Sequence, residues 1–247
     1  MWISNIKIKN FRNYTDEKIE LNKNINVFYG ENAQGKTNII EAIYLTAMGK
    51  SYRTKKESEM INFNSQNSLI EVEYFKSDRD GKVKIELGNK KNIYLNGIRL
   101  KKLSELLGNI HLVIFTPDDI GILKGSPQNR RRFLDIIKGF TTKGIHRDDF
   151  LIYINGKETS VYGSQGQNRT AMLSLKLSEL NVVYDEIGEY PILLLDDFMS
   201  ELDSKRRKSF LENVRDTQVI ITCTEKISIE NLKTFMYNVK KGKVYQE

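Results

Sequence analysis

This chain contains Gly30-Glu31-Asn32-Ala33-Gln34-Gly35-Lys36-Thr37, a sequence with the pattern G-x-x-x-x-G-K-[ST]. The apolar run before it, residues 25–29, is typical of a buried strand, and the isoleucine spacing after it favours a helix. Strand, glycine-rich turn and helix together form a phosphate-binding loop, whose backbone N–H groups surround phosphates. We therefore predict a nucleoside triphosphate site at this stretch and the following Asn38, with Lys36 on the β- and γ-phosphates and Thr37 on Mg²⁺.

The composition is that of a soluble globular protein. The chain has 247 residues, enough for one large domain or two lobes, with 39% hydrophobic and 29% charged residues. No apolar run approaches the ~20 residues of a membrane span. A single cysteine, Cys223, excludes an intrachain disulfide and favours a reducing, cytoplasmic location. The net charge of +7 favours a polyanionic partner.

Two kinds of periodicity divide the rest of the chain. Between residues 69 and 98, apolar and polar residues alternate and Asn96-Gly97 gives a hairpin signal, which predicts an antiparallel sheet. Elsewhere the patterns indicate strands at 111–115, 192–195 and 219–222, helices at 103–107, 168–180 and 204–214, and hairpins around Asn155-Gly156 and Lys241-Gly242. We predict an α/β fold in which residues 1–247 form one domain of two lobes, with a mixed central sheet and an antiparallel β-subdomain.

A second motif follows the apolar run 192–195, where the chain continues with Asp196 and Asp197. A strand buried on both faces of a parallel sheet reads as a continuous apolar run, and ligands bind beyond the carboxyl ends of such strands. We predict that Asp196 holds Mg²⁺ and that Asp197 orients or deprotonates the attacking water. The alternative is a strand followed by an acidic helix cap.

The spacing of these two motifs and a third one indicate which class of ATPase the chain resembles. The long sequence separation between Lys36 and Asp196 favours the ATP-binding-cassette type, and no N-K-x-D sequence marks guanine specificity, so ATP is the predicted nucleotide. In this setting Ser164-Gln165-Gly166-Gln167 resembles the cassette signature loop, with a helix starting near Asn168 and the Ser164 hydroxyl on the γ-phosphate of a partner subunit. The alternative for this loop is the exit of a hairpin.

Taken in order along the chain, these motifs closely resemble one family, the bacterial RecF recombination and gap-repair ATPases, which are relatives of the SMC-type cassette ATPases. Besides the phosphate loop, the matching stretches are residues 9–14, 49–54, 115–119, 124–127, 130–135, 146–149, 164–169 and 194–203. The resemblance covers nearly the whole chain, and an ordered series is far more specific than any single motif.

The resemblance implies an ATP-dependent DNA-binding protein of recombinational repair, replication-gap repair and the SOS response, with weak Mg²⁺-dependent ATPase activity. Two heads would close on ATP, and slow hydrolysis would release the dimer. One head supplies the phosphate loop and Arg12, and the other supplies Ser164, Gly166, Gln167 and Asp203. The implied DNA is duplex beside a single-stranded gap. The implied protein partners are RecR and RecO, and no membrane is involved.

The basic clusters are candidates for DNA contacts, because phosphate contacts supply most of the affinity of a protein for DNA. The candidate residues are Arg53, Lys55, Lys56, Arg130, Arg131 and Arg132. A solvated helix face would carry the same charges, which leaves a purely structural explanation open.

The chain departs from the family pattern in length and at two site residues. Family members carry a long helical arm after residues 130–135, whereas here residues 136–143 alone make the join, so we interpret the chain as a head that lacks the arm. Asp197 and Thr222 stand where cassette transporters have Glu and His, which predicts slow hydrolysis. Two alternatives stay open: a nucleotide-gated dimerisation module that does not hydrolyse ATP, and a transport ATPase.

Overall fold

The structure, a computed structural model, describes residues 1–77, 79–138, 149–197, 202–214, 216–227 and 232–247, and for residues 132, 135–138 and 204 the backbone alone. The strands are β1 (Trp2–Phe11), β2 (Tyr14–Glu20), β3 (Ile25–Tyr29), β4 (Ser68–Lys76), β5 (Arg79–Leu87), β6 (Asn92–Leu95), β7 (Ile98–Arg99), β8 (Leu112–Phe115), β9 (Tyr153–Ile154), β10 (Lys157–Glu158), β11 (Ile192–Leu195), β12 (Val219–Cys223), β13 (Thr234–Lys240) and β14 (Lys243–Gln246). The helices are α1 (Lys36–Met48), α2 (Ile120–Lys124), α3 (Pro127–Lys138), α4 (Thr159–Tyr162), α5 (Gln165–Ile187) and α6 (Ser204–Glu212).

These elements form two compact units. One comprises Met1–Ile114 and Pro191–Glu247, and the other comprises Phe115–Tyr190. The predicted single domain of two lobes stays a prediction, and most of the predicted arm junction at 136–143 lies outside the described residues, which end at Lys138 of α3 before that gap. Within the described ranges, no helix is long and apolar enough to cross a membrane.

An antiparallel sheet in the first unit has the strand order β2-β1-β4-β5-β6-β7. Alternating side chains produce it: on β4, Ile70 and Val72 are fully buried, whereas Glu71 between them is partly exposed. The Asn96-Gly97 turn between β6 and β7 has positive φ at both residues, 50° and 84°, as a type I′ hairpin requires. The predicted antiparallel sheet is confirmed, and it also includes the N-terminal hairpin because β1 pairs with β4.

The second sheet, which is mixed as predicted, has the strand order β14-β13-β3-β12-β11-β8. Strands β13, β3, β12 and β11 run parallel, and β14 is antiparallel to β13. Every residue of β3, β11 and β12 is buried, as the continuous apolar runs predict. Because β3, β12 and β11 run parallel, the loops after β3 and β11 leave the sheet at the same end of the strands, with only β12 between them. This topology brings the phosphate loop close to Asp196.

The second unit contains helices α2 to α5 and the hairpin β9–β10. Its core is formed by Ile122, Leu123, Phe133, Ala171 and Met172. These side chains come from α2, α3 and α5, so the long helix α5 packs its apolar face against α2 and α3. The predicted hairpin around Asn155-Gly156 is present, with Lys157 paired to Ile154.

Three predicted helices have the wrong bounds. Helix α5 begins at Gln165 rather than near Asn168, because a capping box between Ser164 and Gln167 starts it earlier, and it ends at Ile187 rather than at residue 180. Helix α6 ends at Glu212 rather than at residue 214. The predicted helix at 103–107 is only the 3-10 turn Leu103–Glu105.

Candidate nucleotide-binding site

The loop between β3 and α1 depends on glycine at Gly30 and Gly35. Gly30 has a φ of 147°, and a Cβ there would lie 2.4 Å from the carbonyl oxygen of Val239. Gly35 has a φ of 119°, and a Cβ there would lie 2.7 Å from the side-chain amide of Asn13. Both positions combine a left-handed backbone with no room for a side chain. The backbone therefore curls at the start of α1, where helix N–H groups favour an anion.

Gln34 fastens this loop to the rest of the fold. Its carbonyl oxygen accepts from the side chain of Asn13 at 2.7 Å and from the N–H of Gly242 at 3.1 Å. Its side-chain oxygen accepts from the N–H of Lys241 at 2.6 Å. Asn38 donates to the side-chain oxygen of Asn13 at 2.8 Å. The other predicted loop contacts are exposed: Glu31, Asn32 and Ala33.

Lys36 lies inside the curl of the loop and is largely buried. Its Nζ donates to the carbonyl oxygens of Gly30 and Glu31, both at 2.7 Å. Burial lowers the pKa of Lys36 below the usual lysine value, and the negative charge of Asp197 opposes this effect. The ammonium group is thus held by loop carbonyls at the place where a phosphate would supply a stronger countercharge.

Asp196 follows β11 and is buried. Its Oδ1 accepts from the hydroxyl groups of Thr37 at 2.8 Å and Thr222 at 2.9 Å, and its Oδ2 accepts from the hydroxyl of Tyr52 at 2.9 Å. The structure therefore brings together Thr37 and Asp196, the two predicted magnesium ligands. Hydroxyl and carboxylate oxygens are the donors Mg²⁺ prefers, and one or two carboxylates suffice when substrate phosphates complete its shell. Among the described residues, no cluster of three or more His, Cys, Asp or Glu side chains offers a competing metal site.

Sequence reasoning misses the roles of Tyr52 and Thr222. Tyr52 lies in the stretch 49–54 that matches the family, and burial raises the pKa of its hydroxyl, which therefore stays a donor. Thr222 belongs to β12, the strand next to β11, and also accepts from the N–H of Asp197 at 2.9 Å. The sequence analysis places Thr222 where transporters have His, but its bonds to Asp196 and Asp197 follow from the pairing of β12 with β11, which the sequence alone does not show.

Asp197 has a φ of 50°, in the left-handed region that Asp enters more readily than most residues. Of the negative charges near Lys36, the carboxylate of Asp197 acts on it most strongly. The backbone turn at Asp197 is fixed by its N–H bond to Thr222. Its predicted action on the attacking water stays a prediction.

Glu41, on α1, is a fully buried carboxylate that the sequence analysis does not single out. Arg12 donates to both of its oxygens, from Nε at 2.9 Å and from Nη2 at 2.7 Å. Arg53 donates to Glu41 at 2.9 Å and Ser51 donates to it at 2.5 Å. An acidic residue within the apolar run Ile39-Ile40-Glu41-Ala42-Ile43 is the signal for such a buried pair. Arg12, predicted near the phosphates, thus lies next to the phosphate-loop helix.

The predicted DNA contacts differ in accessibility. Arg53, Lys55 and Lys56 are all exposed, and Arg53 is also bonded to Glu41. Arg130 is buried and bonded through Nε and Nη2 to Asp149, at 2.6 and 2.8 Å. This bidentate pair explains Arg130 as a structural residue of the second unit, and it lowers the pKa of Asp149. Arg131 is exposed, and the side chain of Arg132 lies outside the described residues.

The predicted signature loop begins helix α5 in the second unit. Ser164 is exposed, and its Oγ accepts from the N–H of Gln167 at 3.3 Å. The Gln167 side chain accepts from the N–H of Ser164 at 2.9 Å, and Gly166 lies between them in the first helical turn. Asp203, in the first unit, caps α6 by accepting from the N–H of Arg206 at 2.8 Å. Ser200 and Glu201, in the same matching stretch, lie outside the described residues.

Comparison with known proteins gives one consistent result. The family model for the RecF/RecN/SMC N terminal domain matches residues 2–245. The DNA replication and repair protein RecF of Clostridium tetani is 35% identical, with 96% of each chain covered. The protein of the same name from Clostridium kluyveri is 33% identical, with 99% of each chain covered.

Solved structures agree with this result. A structure of the recombination mediator protein RecF-ATP in the RecFOR pathway has a TM-score of 0.87 at 28% identity, and it covers 100% of this chain and 99% of that one. A second structure, of RecF-ATPrS in the RecFOR pathway, has a TM-score of 0.88 at 28% identity, with 99% and 98% covered. An SMC head bound to a winged-helix domain of ScpA matches with a TM-score of 0.71 at 18% identity, which shows a shared fold.

Proposed function

This chain belongs to the RecF family of DNA replication and repair proteins, within the wider RecF/RecN/SMC N-terminal domain family, and from this membership we propose that it is an ATP-gated DNA-binding protein. The observation that carries the proposal is the meeting of Lys36, Thr37 and Asp196 at one edge of the parallel strands. These groups are the parts of a nucleoside triphosphate site: a cation for the phosphates, and a hydroxyl and a carboxylate for Mg²⁺. Family membership also decides against the transport alternative.

We infer that the site takes ATP with Mg²⁺. The loop N–H groups and Lys36 would hold the phosphates, and Thr37 and Asp196 would hold the metal, which would neutralise part of the phosphate charge. Asp197 would orient the attacking water. The 2.8 Å bond between the Thr37 hydroxyl and Asp196 supports this assignment, because one hydroxyl can donate to a carboxylate while its oxygen faces a cation.

Slow hydrolysis is the expected rate behaviour. Thr222 donates to Asp196 and accepts from the N–H of Asp197, so its hydroxyl is engaged in holding the two carboxylate residues. It is therefore a framework residue at the position where transporters have a His. Asp197 is also shorter than the Glu of transporters. Both features favour a weak ATPase that acts as a release switch.

We propose that ATP pairs two heads. The phosphate site of one copy would meet Ser164, Gly166 and Gln167 of a second copy, with Asp203 beside them. Two features support this: Ser164 is exposed, and it begins a helix of 23 residues whose N-terminus favours a phosphate. Only a triphosphate bound to the first head would reach the second, so ATP would bind the dimer more tightly than the monomer and thereby stabilise it.

DNA beside a single-stranded gap is the proposed substrate, and RecR and RecO are the proposed partners. In support, the matching RecF structures are of proteins of the RecFOR pathway. Arg53, Lys55, Lys56 and Arg131 are the exposed candidates for phosphate contacts.

Light scattering of the Asp197→Asn variant, with and without ATP and Mg²⁺, tests the proposal. We expect the mass to double only when ATP and Mg²⁺ are present, because this variant leaves the nucleotide intact. Lys36→Ala is the control, and it should stay monomeric. A monomer under both conditions, despite measured ATP binding, would contradict nucleotide-driven pairing. Phosphate release by the unaltered protein then separates a slow ATPase from a module that dimerises without hydrolysis.

A further inference from the structure

The carboxylate of Asp196 is held by hydroxyl groups on both of its oxygens. Thr37 and Thr222 donate to Oδ1, at 2.8 and 2.9 Å, and Tyr52 donates to Oδ2, at 2.9 Å. Thr37 belongs to the phosphate loop and Thr222 to the neighbouring strand, so both are accounted for by the nucleotide site. Tyr52 belongs to neither, because it lies in the segment that follows α1.

The segment around Tyr52 is fixed by contacts on either side of it. Ser51 and Arg53 donate to the buried carboxylate of Glu41, at 2.5 and 2.9 Å. The Tyr52 ring packs edge-on against Tyr44 of α1, with ring centroids 5.2 Å apart and planes at 72°. These contacts hold the Tyr52 hydroxyl in place at the carboxylate independently of its bond to Asp196.

We propose that Tyr52 is a positioning residue that orients the carboxylate of Asp196 for magnesium; this rests on the proposed Mg²⁺-ATP function of the site. A carboxylate held at one oxygen can still rotate about its Cβ–Cγ bond, whereas donors on both oxygens fix its plane. The bond to Tyr52 keeps Oδ1 directed at Thr37. Removing the donor would also leave a buried oxygen without its partner. Partners of this kind typically change metal affinity or activity by about 10- to 100-fold when removed.

The test is a magnesium titration of nucleotide binding by the full chain. A fluorescent ATP analogue reports binding, first in EDTA and then with increasing Mg²⁺. In Tyr52→Phe, which keeps the ring and its contact with Tyr44, we expect the Mg²⁺ midpoint to rise by about 10-fold or more. The affinity measured in EDTA should match that of the unaltered protein. Tyr52→Met removes the same hydroxyl, and it should show the same shift if the Phe variant does not fold.

Tyr94→Phe is the matched control. Its hydroxyl also donates to a carboxylate, that of Glu86 at 3.3 Å, but on the antiparallel sheet. The Mg²⁺ midpoint of this variant should equal that of the unaltered protein. An unchanged midpoint in the Tyr52 variants overturns the proposal, as does an equal loss of affinity in EDTA, which would mean that Tyr52 supports the whole loop. If the unaltered protein binds the analogue without any dependence on Mg²⁺, the proposed magnesium site fails, and this inference fails with it.

Discussion

Lys36 is the residue on which nucleotide binding depends most directly, since it is the cation enclosed by the phosphate loop. We expect Lys36→Ala to abolish ATP binding in a fluorescence titration, because the loop would no longer have a side-chain cation on the β- and γ-phosphates. The exposed Lys55 lies outside the loop and provides the matched control, Lys55→Ala. Retention of ATP affinity in Lys36→Ala would contradict the assignment of the loop.

Glu41 should matter more for stability than its single charge suggests. Its carboxylate is fully buried and accepts from two partly exposed arginines, so Glu41→Gln weakens hydrogen bonds between charged groups. We expect Glu41→Gln to lower the free energy of unfolding by about 2 kcal/mol, measured by urea denaturation. Glu20→Gln, which removes a surface pair with Lys18, should cost below about 1 kcal/mol. Similar losses of unfolding free energy in both variants would show that the buried Glu41 contributes no more to stability than a surface carboxylate.

Single residues were predictable where a local pattern specifies them. Gly30, Gly35 and Lys36 follow from a contiguous motif, because the loop makes its contacts within a few residues. Tyr52 and Glu41 did not follow, because their roles depend on partners distant in sequence, Asp196 and Arg12. Arg130 shows the converse: a cluster of three arginines suggested DNA, while burial against Asp149 gives one of them a structural role.

At the scale of elements, the start of α5 decides whether the proposed dimer forms. We expect Ser164→Arg to leave ATP binding by the monomer unchanged, because Ser164 belongs to the unit without the phosphate loop. The same variant should lose both the ATP-dependent doubling of mass and ATP hydrolysis, since a long cation would occupy the place of a partner's γ-phosphate. Light scattering and phosphate release measure the two effects.

Ser174→Arg is the control for that variant. Ser174 is exposed on the same helix, where its hydroxyl donates to the carbonyl of Thr170 at 3.1 Å. It should dimerise and hydrolyse ATP like the unaltered protein. Normal hydrolysis by Ser164→Arg would show that the signature loop does not act on a partner's nucleotide.

The elements with strong periodicity were predicted well, and their ends were not. The alternation on β4 and β5 and the Asn96-Gly97 turn specify the antiparallel sheet locally. The pairing of β1 with β4 could not be read from either strand, because it joins segments far apart in sequence. The start of α5 was missed because a capping box extends a helix beyond its apolar repeat. Sequence patterns thus specify each element more reliably than its partners or its limits.

At the scale of the whole molecule, the net charge of +7 favours DNA without locating it. Charge alone attracts a polyanion to any basic surface, so a specific site must be separated from general attraction. Lys55 and Lys56 are exposed and follow directly after the segment that joins Glu41 to Asp196. This pair therefore combines solvent access with proximity in sequence to the nucleotide site, and the exposed Arg53 beside it is bonded to Glu41.

The double variant Lys55→Ala/Lys56→Ala should bind gapped duplex DNA more weakly, and its affinity should depend less steeply on salt. The slope of log affinity against log salt should fall by about 0.9 for each phosphate that the variant no longer neutralises. Fluorescence anisotropy over a salt series measures both quantities. Lys101→Ala/Lys102→Ala removes the same charge from another exposed lysine pair and is the matched control. Equal decreases in the two double variants would show general attraction by net charge, whereas a decrease confined to Lys55 and Lys56 would place DNA beside the segment that contacts Asp196.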